Sequence, residues 1–351
     1  MIQLINYGWN NHLSQLKHIS KYNALSHGRI STVHRTCYEV VSDSASFICE
    51  LTGSLKYGKS EFDLPCTGDW VIFQTFDNCH GIIVELFPRE RVLCRKRSGT
   101  VAGKQAIASF VDKAFIVQSL DHNFNVRRAE RIIAQIMDED ISPVLILNKS
   151  DLIFDKQHIE TQLKHISCRI PILFTSIMES KTISELQEFI MDGETVVFIG
   201  SSGVGKSSLV NALCGISTLL TSEVSQSTGK GRHTSTRSEM LLMDGGGVLI
   251  DTPGVREFGL AIDNLDCFED VMDISDYSKL CRFSDCKHES EPGCAVIKAV
   301  DDGLLDRGVY ENYLKLRREV WHFSASEHEK RKKDKSFAKL VGEVKKHKSR
   351  F

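Results

Sequence analysis

Gly200-Ser201-Ser202-Gly203-Val204-Gly205-Lys206-Ser207 has the G-x-x-x-x-G-K-S spacing of a loop that holds phosphate. The chemistry depends on residue type. Glycines let successive backbone N–H groups turn inward around an anion. A helix beginning near Lys206 adds partial positive charge at its N-terminus. The Lys206 ammonium can reach the outer phosphates, and the Ser207 hydroxyl can hold magnesium. The flanks agree: an apolar run, Thr195 to Ile199, precedes the loop, and a helical run, Ser207 to Leu213, follows it. The phosphate-binding set is therefore Gly200, Ser201, Ser202, Gly203, Val204, Gly205, Lys206, Ser207 and Ser208, with Gly254 added below.

A second group reads a base. Asn148-Lys149-Ser150-Asp151 closes the apolar run Pro143 to Leu147. A carboxylate held edge-on, here Asp151, accepts two hydrogen bonds from the guanine N1–H and exocyclic amine. Adenine lacks that donor pair and would leave the carboxylate unpaired, at about 1–3 kcal/mol per group. Asn148 can meet the other base edge and the Lys149 stem can lie along its face. Thr175-Ser176, at the end of the next apolar run, places Ser176 as a further guanine contact.

Downstream, Gly247 to Ile250 leads into Asp251-Thr252-Pro253-Gly254. Asp251 can hold magnesium through water, and the Gly254 N–H can meet a terminal phosphate. Between this motif and the phosphate loop lies a long polar stretch, Thr221 to Arg237. It suits a switch loop ordered by terminal phosphate and magnesium. Thr234 or Thr236 can supply a magnesium ligand, and spacing leaves both open. Cys281-x4-Cys286-x-His288-x5-Cys294 is a complete tetrahedral Cys3His set, which predicts one structural zinc.

These groups need elements to position them. From about Val111 apolar runs alternate with helical periodicity, which predicts a βαβ parallel sheet with the motifs at the C-terminal ends of its strands. Ahead of it, from Gly28, come five short alternating runs punctuated by Gly, Asp and Asn, the pattern of a small closed β-barrel such as an OB-fold. Arg29, Lys56, Lys59, Arg95, Lys96 and Arg97 could give this barrel an RNA-binding surface. A solvated barrel used for protein contact fits the composition equally. The expected organisation is an extension at 1–27, a barrel at 28–98, an α/β nucleotide domain at 110–262, and a mainly helical zinc-binding domain at 263–351 ending in a basic tail.

The 351 residues have room for these parts, and the formal net charge of -2 gives no global attraction to nucleic acid. The tail differs. Lys330, Arg331, Lys332, Lys333, Lys335, Lys339, Lys345, Lys346, Lys348 and Arg350 face only Asp334 and Glu343, a distribution suited to RNA. The eleven cysteines are an odd count and most are scattered singly, which argues for a reducing compartment. No signal peptide or membrane-spanning run is expected.

The order base motif, phosphate loop, switch threonine, D-T-P-G reverses the usual sequence of such motifs and resembles the circularly permuted GTPases. Gly231-Arg232-His233-Thr234 and the run Asp251 to Phe258 resemble one family, the ribosome small subunit-dependent GTPase A family. The resemblance covers nearly the whole chain, all four zinc ligands included. Ser235 stands within what is often a threonine run, and Ile177 follows Ser176 where a small residue is usual. The resemblance implies hydrolysis of GTP to GDP and phosphate during late small-subunit assembly, stimulated by that subunit. It also implies contact with ribosomal RNA, and a cytoplasmic monomer. Val255 follows D-T-P-G where many GTPases carry a water-positioning glutamine. His233, by type and by resemblance, takes the catalytic water instead. Two other readings stand beside this one: a nucleotide-gated RNA-binding module with incidental hydrolysis, and an ATP-using phosphate-loop enzyme.

Overall fold

A computed structural model describes residues 2–96, 103–121, 124–152, 155–214, 238–243, 246–252 and 266–324. The chain divides into two compact units, Met1–Ala261 and Ile262–Phe351. His233, Thr234, Thr236, Gly254, Val255 and the basic tail lie outside the described residues.

The first unit opens with a single 3-10 turn, Leu4–Tyr7, and helix α1, Asn11–Ile19, capped by the Asn10 side chain. Leu4, Leu13, Tyr7 and Trp9 pack on Trp70, Ile72 and Phe87, so this extension covers the face of the strand at 70–75 opposite to the one that Val71 and Phe73 line. The barrel strands are β1 (Ser26–Val33), β2 (Tyr38–Val41), β3 (Ser46–Leu51), β4 (Trp70–Thr75) and β5 (His80–Leu86), with a short helix α2 (Gly53–Lys56) after β3. Their order is β1-β2-β3-β5-β4, and β4 pairs back onto β1. The five expected strands therefore form a closed barrel, with β3 and β5 parallel. Closure is tightest at Gly28, where a Cβ would stand 2.3 Å from the Val41 carbonyl oxygen. Ile30, Val40, Val71, Phe73 and Ile83 fill the interior. Burial of each such side chain contributes about 1.5–3 kcal/mol.

A hairpin absent from the sequence reading follows, β6 (Leu93–Lys96) and β7 (Lys104–Ala108). Then β8 (Lys113–Ser119), α3 (Val126–Asp138), β9 (Ser142–Asn148), α4 (Lys156–Gln162), α5 (Lys164–Ser167), β10 (Ile172–Thr175), α6 (Ser180–Glu188), β11 (Thr195–Ile199) and α7 (Lys206–Cys214) alternate as expected. α4 and α5 meet at Leu163, which ends one and caps the other. The sheet runs β10-β9-β8-β11 with parallel neighbours, then β13 (Val248–Asp251) parallel to β11, and β12 (Glu239–Leu242) antiparallel to β13. β8, β9 and β11 are buried along most of their length, the apolar pattern of central parallel strands. β12 also pairs with β1 through Thr32 and Glu239, so barrel and parallel sheet form one eleven-stranded sheet.

Arg29 corrects an expectation. Counted among barrel cations open to RNA, it is 1 % exposed. Its Nε donates to the Gly68 carbonyl and its Nη1 to the Tyr7 carbonyl and the Thr195 hydroxyl. The guanidinium lies over Trp70, 5.3 Å from the ring centroid. The sequence shows the charge, whereas the closed barrel turns it inward and satisfies it with carbonyls. Lys56, Lys59 and Arg95 remain exposed.

The second unit holds α8 (Asp266–Val271), α9 (Ser275–Ser278), α10 (Ala295–Asp301) and α11 (Arg307–Ser324). Phe268, Ile274, Val296, Tyr313 and Leu316 are among its buried residues. No helix among the described residues is long and apolar enough to cross a membrane.

Candidate nucleotide site and metal cluster

The parallel register aligns the ends of three strands. Ser119 pairs with Asn148, and Asn148 with Thr175, across β8, β9 and β10. β11 lies on the other side of β8 and delivers the phosphate loop. The base motif and the loop therefore open on one edge of one sheet, although they are far apart in sequence.

 Asn148 joins the two directly. Its Nδ2 donates to the Val204 carbonyl at 2.8 Å, and its Oδ1 accepts from the Thr175 hydroxyl at 3.1 Å. Besides the base edge it is expected to meet, the buried Asn148 amide fastens the base-reading segment to the phosphate loop.

The rest of the base group is arranged around it. Ser176 Oγ donates to Asp151 Oδ1 at 2.6 Å, which orients the carboxylate expected to read guanine. Ser176 is fully buried while Asp151 is exposed. Lys149 adopts a left-handed backbone, φ 61°, and its Nζ lies 3.1 Å from Asp121 Oδ2 at the end of β8. Asp121 is held in turn by Ser119 Oγ at 2.9 Å. Asp121 and Ser119 were missed by the sequence reading, because only the strand register brings them beside Lys149.

In the phosphate loop, Lys206 Nζ donates to the carbonyls of Gly200 and Ser201, at 2.6 and 2.8 Å. The ammonium is thus curled over the loop where an outer phosphate would lie. Val204 is buried, whereas Ser202, Gly203 and Ser207 are exposed. Asp251, at the end of β13, lies close enough to Lys206 for the ammonium to favour its charged form, but burial dominates and raises its pKa. A half-buried carboxylate beside the loop, with the Ser207 hydroxyl exposed on the first turn of α7, suits magnesium bound with a nucleotide. The Ser201 hydroxyl accepts from Arg128 Nη1 at 3.1 Å, a contact the sequence did not suggest.

In the second unit, Cys281, Cys286, His288 and Cys294 bring their ligand atoms within 4.8 Å of one another. His288 Nδ1 lies 3.3 Å from Cys294 Sγ and 3.6 Å from Cys281 Sγ. His288 takes a left-handed backbone, φ 55°, which turns its ring into the cluster. Backbone N–H groups of Ala295 and Ile297 point at the sulfurs of Cys281 and Cys294. Glu291 accepts from the N–H groups of Lys287, Glu289 and Ser290 and is held down to about 2 by them. Burial pushes the Cys294 thiol up to about 12. Four crowded donors of this kind fit a metal cation, whose charge stabilises thiolates that burial otherwise disfavours. The Cys3His set is a metal site by its donors.

A phosphate loop on a parallel sheet whose base-reading strands come earlier in the chain defines a circularly permuted GTPase. Residues 86–261 match the model of the RsgA GTPase family. Over 345 residues the chain is 66% identical to the small ribosomal subunit biogenesis GTPase RsgA 1 of Bacteroides thetaiotaomicron, covering 98% of this chain and 97% of that one. The chain belongs to the RsgA GTPase family. Its fold is similar to that of YjeQ from Thermotoga maritima, with a TM-score of 0.65 and 24% identity over 84% of this chain and 98% of that one. It is similar also to YloQ, a circularly permuted GTPase, with a TM-score of 0.63 and 24% identity over 87% and 98%.

Proposed function

We propose that the chain binds GTP with magnesium, hydrolyses it to GDP and phosphate, and does so on the small ribosomal subunit during late assembly. The observation that carries the nucleotide part is the Asn148 bridge, which ties the base-reading segment to the phosphate loop. The ribosomal part rests on the relative at 66% identity, which is named a small ribosomal subunit biogenesis GTPase.

In this reading Asp151, oriented by Ser176, selects guanine, and Lys149 flanks the base. The backbone from Gly200 to Ser208 and the Gly254 N–H surround the phosphates. Lys206 exchanges its loop carbonyls for phosphate oxygens. Ser207, Asp251 and either Thr234 or Thr236 would hold magnesium, which neutralises phosphate charge when bound. His233 holds the attacking water. The Cys3His cluster takes one structural zinc. The exposed cations of the barrel and the basic tail contact ribosomal RNA. The working units are the barrel at 28–98, the nucleotide domain at 110–262 and the zinc-binding domain at 263–351. The protein acts as a cytoplasmic monomer.

One assay tests the reading. GTP hydrolysis is measured with and without purified small subunits, for the native chain and for His233→Ala. Stimulation by subunits in the native chain is expected. Its absence favours a nucleotide-gated RNA-binding module in which hydrolysis is incidental. Full stimulation in His233→Ala removes only the role given to that residue. Competition by ATP, compared between the native chain and Asp151→Asn, checks guanine selection.

A further inference from the structure

Arg128 stands in the first turn of α3, where its N–H is capped by Asn125 Oδ1 at 3.0 Å. Its side chain is exposed and crosses to the phosphate loop, where Nη1 meets Ser201 Oγ at 3.1 Å. Its neighbour Arg127 is committed elsewhere, to the buried Glu130 at 2.7 Å. Arg128 has no carboxylate partner among the described residues. Ser201 is also the residue whose carbonyl holds Lys206 Nζ at 2.8 Å. Two cations therefore converge on one loop residue, the ammonium on its carbonyl and the guanidinium on its hydroxyl. An arginine held beside a phosphate loop without an anion is matched to a phosphate, since its planar fork pairs with two oxygens at once.

We propose that Arg128 is a catalytic residue that binds the terminal phosphate of GTP and stabilises the charge that develops as that phosphate is transferred. The inference rests on the GTP-hydrolysing reading given above. In the reaction the water oxygen bonds to the γ-phosphorus, and the bond from that phosphorus to the β–γ bridging oxygen breaks. The electron pair of the broken bond stays on GDP, and the proton of the water goes to phosphate or solvent. The guanidinium is not consumed. It leaves Ser201 Oγ for oxygens of the γ-phosphoryl group, where charge develops as the phosphoryl group is transferred. GDP lacks this group, so its affinity is set without Arg128.

The test compares the native chain, Arg128→Ala and Arg128→Lys, each checked for an unchanged thermal unfolding midpoint. Single-turnover hydrolysis gives the chemical step, and fluorescent GTP-analogue and GDP titrations give the affinities. Arg128→Ala is expected to slow hydrolysis at least tenfold, to weaken the GTP analogue, and to leave GDP affinity unchanged. Arg128→Lys recovers only part of the rate, and millimolar guanidinium ion restores the alanine variant. Equal rates and equal analogue affinities in native chain and alanine variant overturn the inference. Parallel losses of GTP-analogue and GDP affinity overturn it too, since they mark loop distortion. A native chain that binds no guanine nucleotide sinks the GTPase reading and this inference together, an outcome visible before any variant is compared.

Discussion

Asn148 Nδ2 lies 2.8 Å from the Val204 carbonyl, and a Cβ built on Gly205 would stand 2.2 Å from that same nitrogen. The clamp between base segment and phosphate loop is thus closed on a glycine. Gly205 also has φ +95°, a conformation that side chains rarely adopt.

Gly205→Ala must therefore displace Asn148 or the loop. Asn148 is held from the other side by Thr175, so the loop yields. GTP and GDP affinity are expected to fall together, by tenfold or more, in a nucleotide titration. Asn148→Ala leaves the Val204 carbonyl and Thr175 hydroxyl unpaired and costs about 1–3 kcal/mol of stability. Denaturant unfolding without nucleotide measures that loss. An unchanged midpoint in Asn148→Ala would show that the clamp contributes nothing.

Arg29 fastens the N-terminal extension, the barrel and the first residue of the phosphate-loop strand through Tyr7, Gly68 and Thr195. Arg29→Met keeps an apolar stem but leaves these acceptors buried without a donor. Each buried acceptor left without a donor costs about 1–3 kcal/mol. Arg29→Lys recovers little, because one ammonium cannot span acceptors that the guanidinium fork reaches together. Thermal unfolding of both variants checks this, and a variant as stable as the native chain refutes it.

Much of the site was legible in the sequence. The spacing Gly200 to Ser207 and the Cys3His spacing each require only local chain, so residue type and separation carry them. The five barrel strands were legible for the same reason, as each alternates within its own few residues. The hairpin β6–β7 was not, because Leu93–Lys96 is too short to show a period. Asp121, Arg128 and the inward turn of Arg29 arise from contacts between distant segments, and no local pattern encodes them. The β1–β12 pairing likewise comes from tertiary packing.

His27 gives stability a pH dependence. Its Nδ1 lies 2.9 Å from Lys17 Nζ and its ring 4.2 Å from the Trp9 ring centroid. Burial first, then the Lys17 charge, lowers its pKa to about 4. The unfolded chain takes up this proton near pH 6.5, and the folded chain only near pH 4. Between those values the unfolded state binds more protons, so stability falls as pH drops from about 6.5 to about 4 and is full above it. The shift alone corresponds to roughly 3 kcal/mol, which solvent screening of this partly exposed ring reduces to about 1–2 kcal/mol. His27→Gln should flatten the slope of stability against pH in that window. An identical slope in the variant assigns the dependence to other groups.

The metal cluster predicts a stability that is local to its own unit. The loop from Cys281 to Cys294 has few buried apolar residues, and its order depends on four donors and on the N–H groups gathered by Glu291. Elemental analysis of the purified chain should find one zinc per molecule. Chelation, or Cys286→Ser, removes a binding free energy of the order of 10–16 kcal/mol, most of it used to order the loop. Hydrogen exchange at 281–297 should then rise to the unprotected rate. The nucleotide site draws its residues from the other unit, so GTP affinity is expected to stay within twofold. Thiolates are the ligands, so zinc release should begin as the solution is acidified and follow the protonation of more than one sulfur. Metal-free chain with unchanged protection at Ala295 and Ile297, whose N–H groups point at Cys281 and Cys294, would show that the cluster orders itself without a cation.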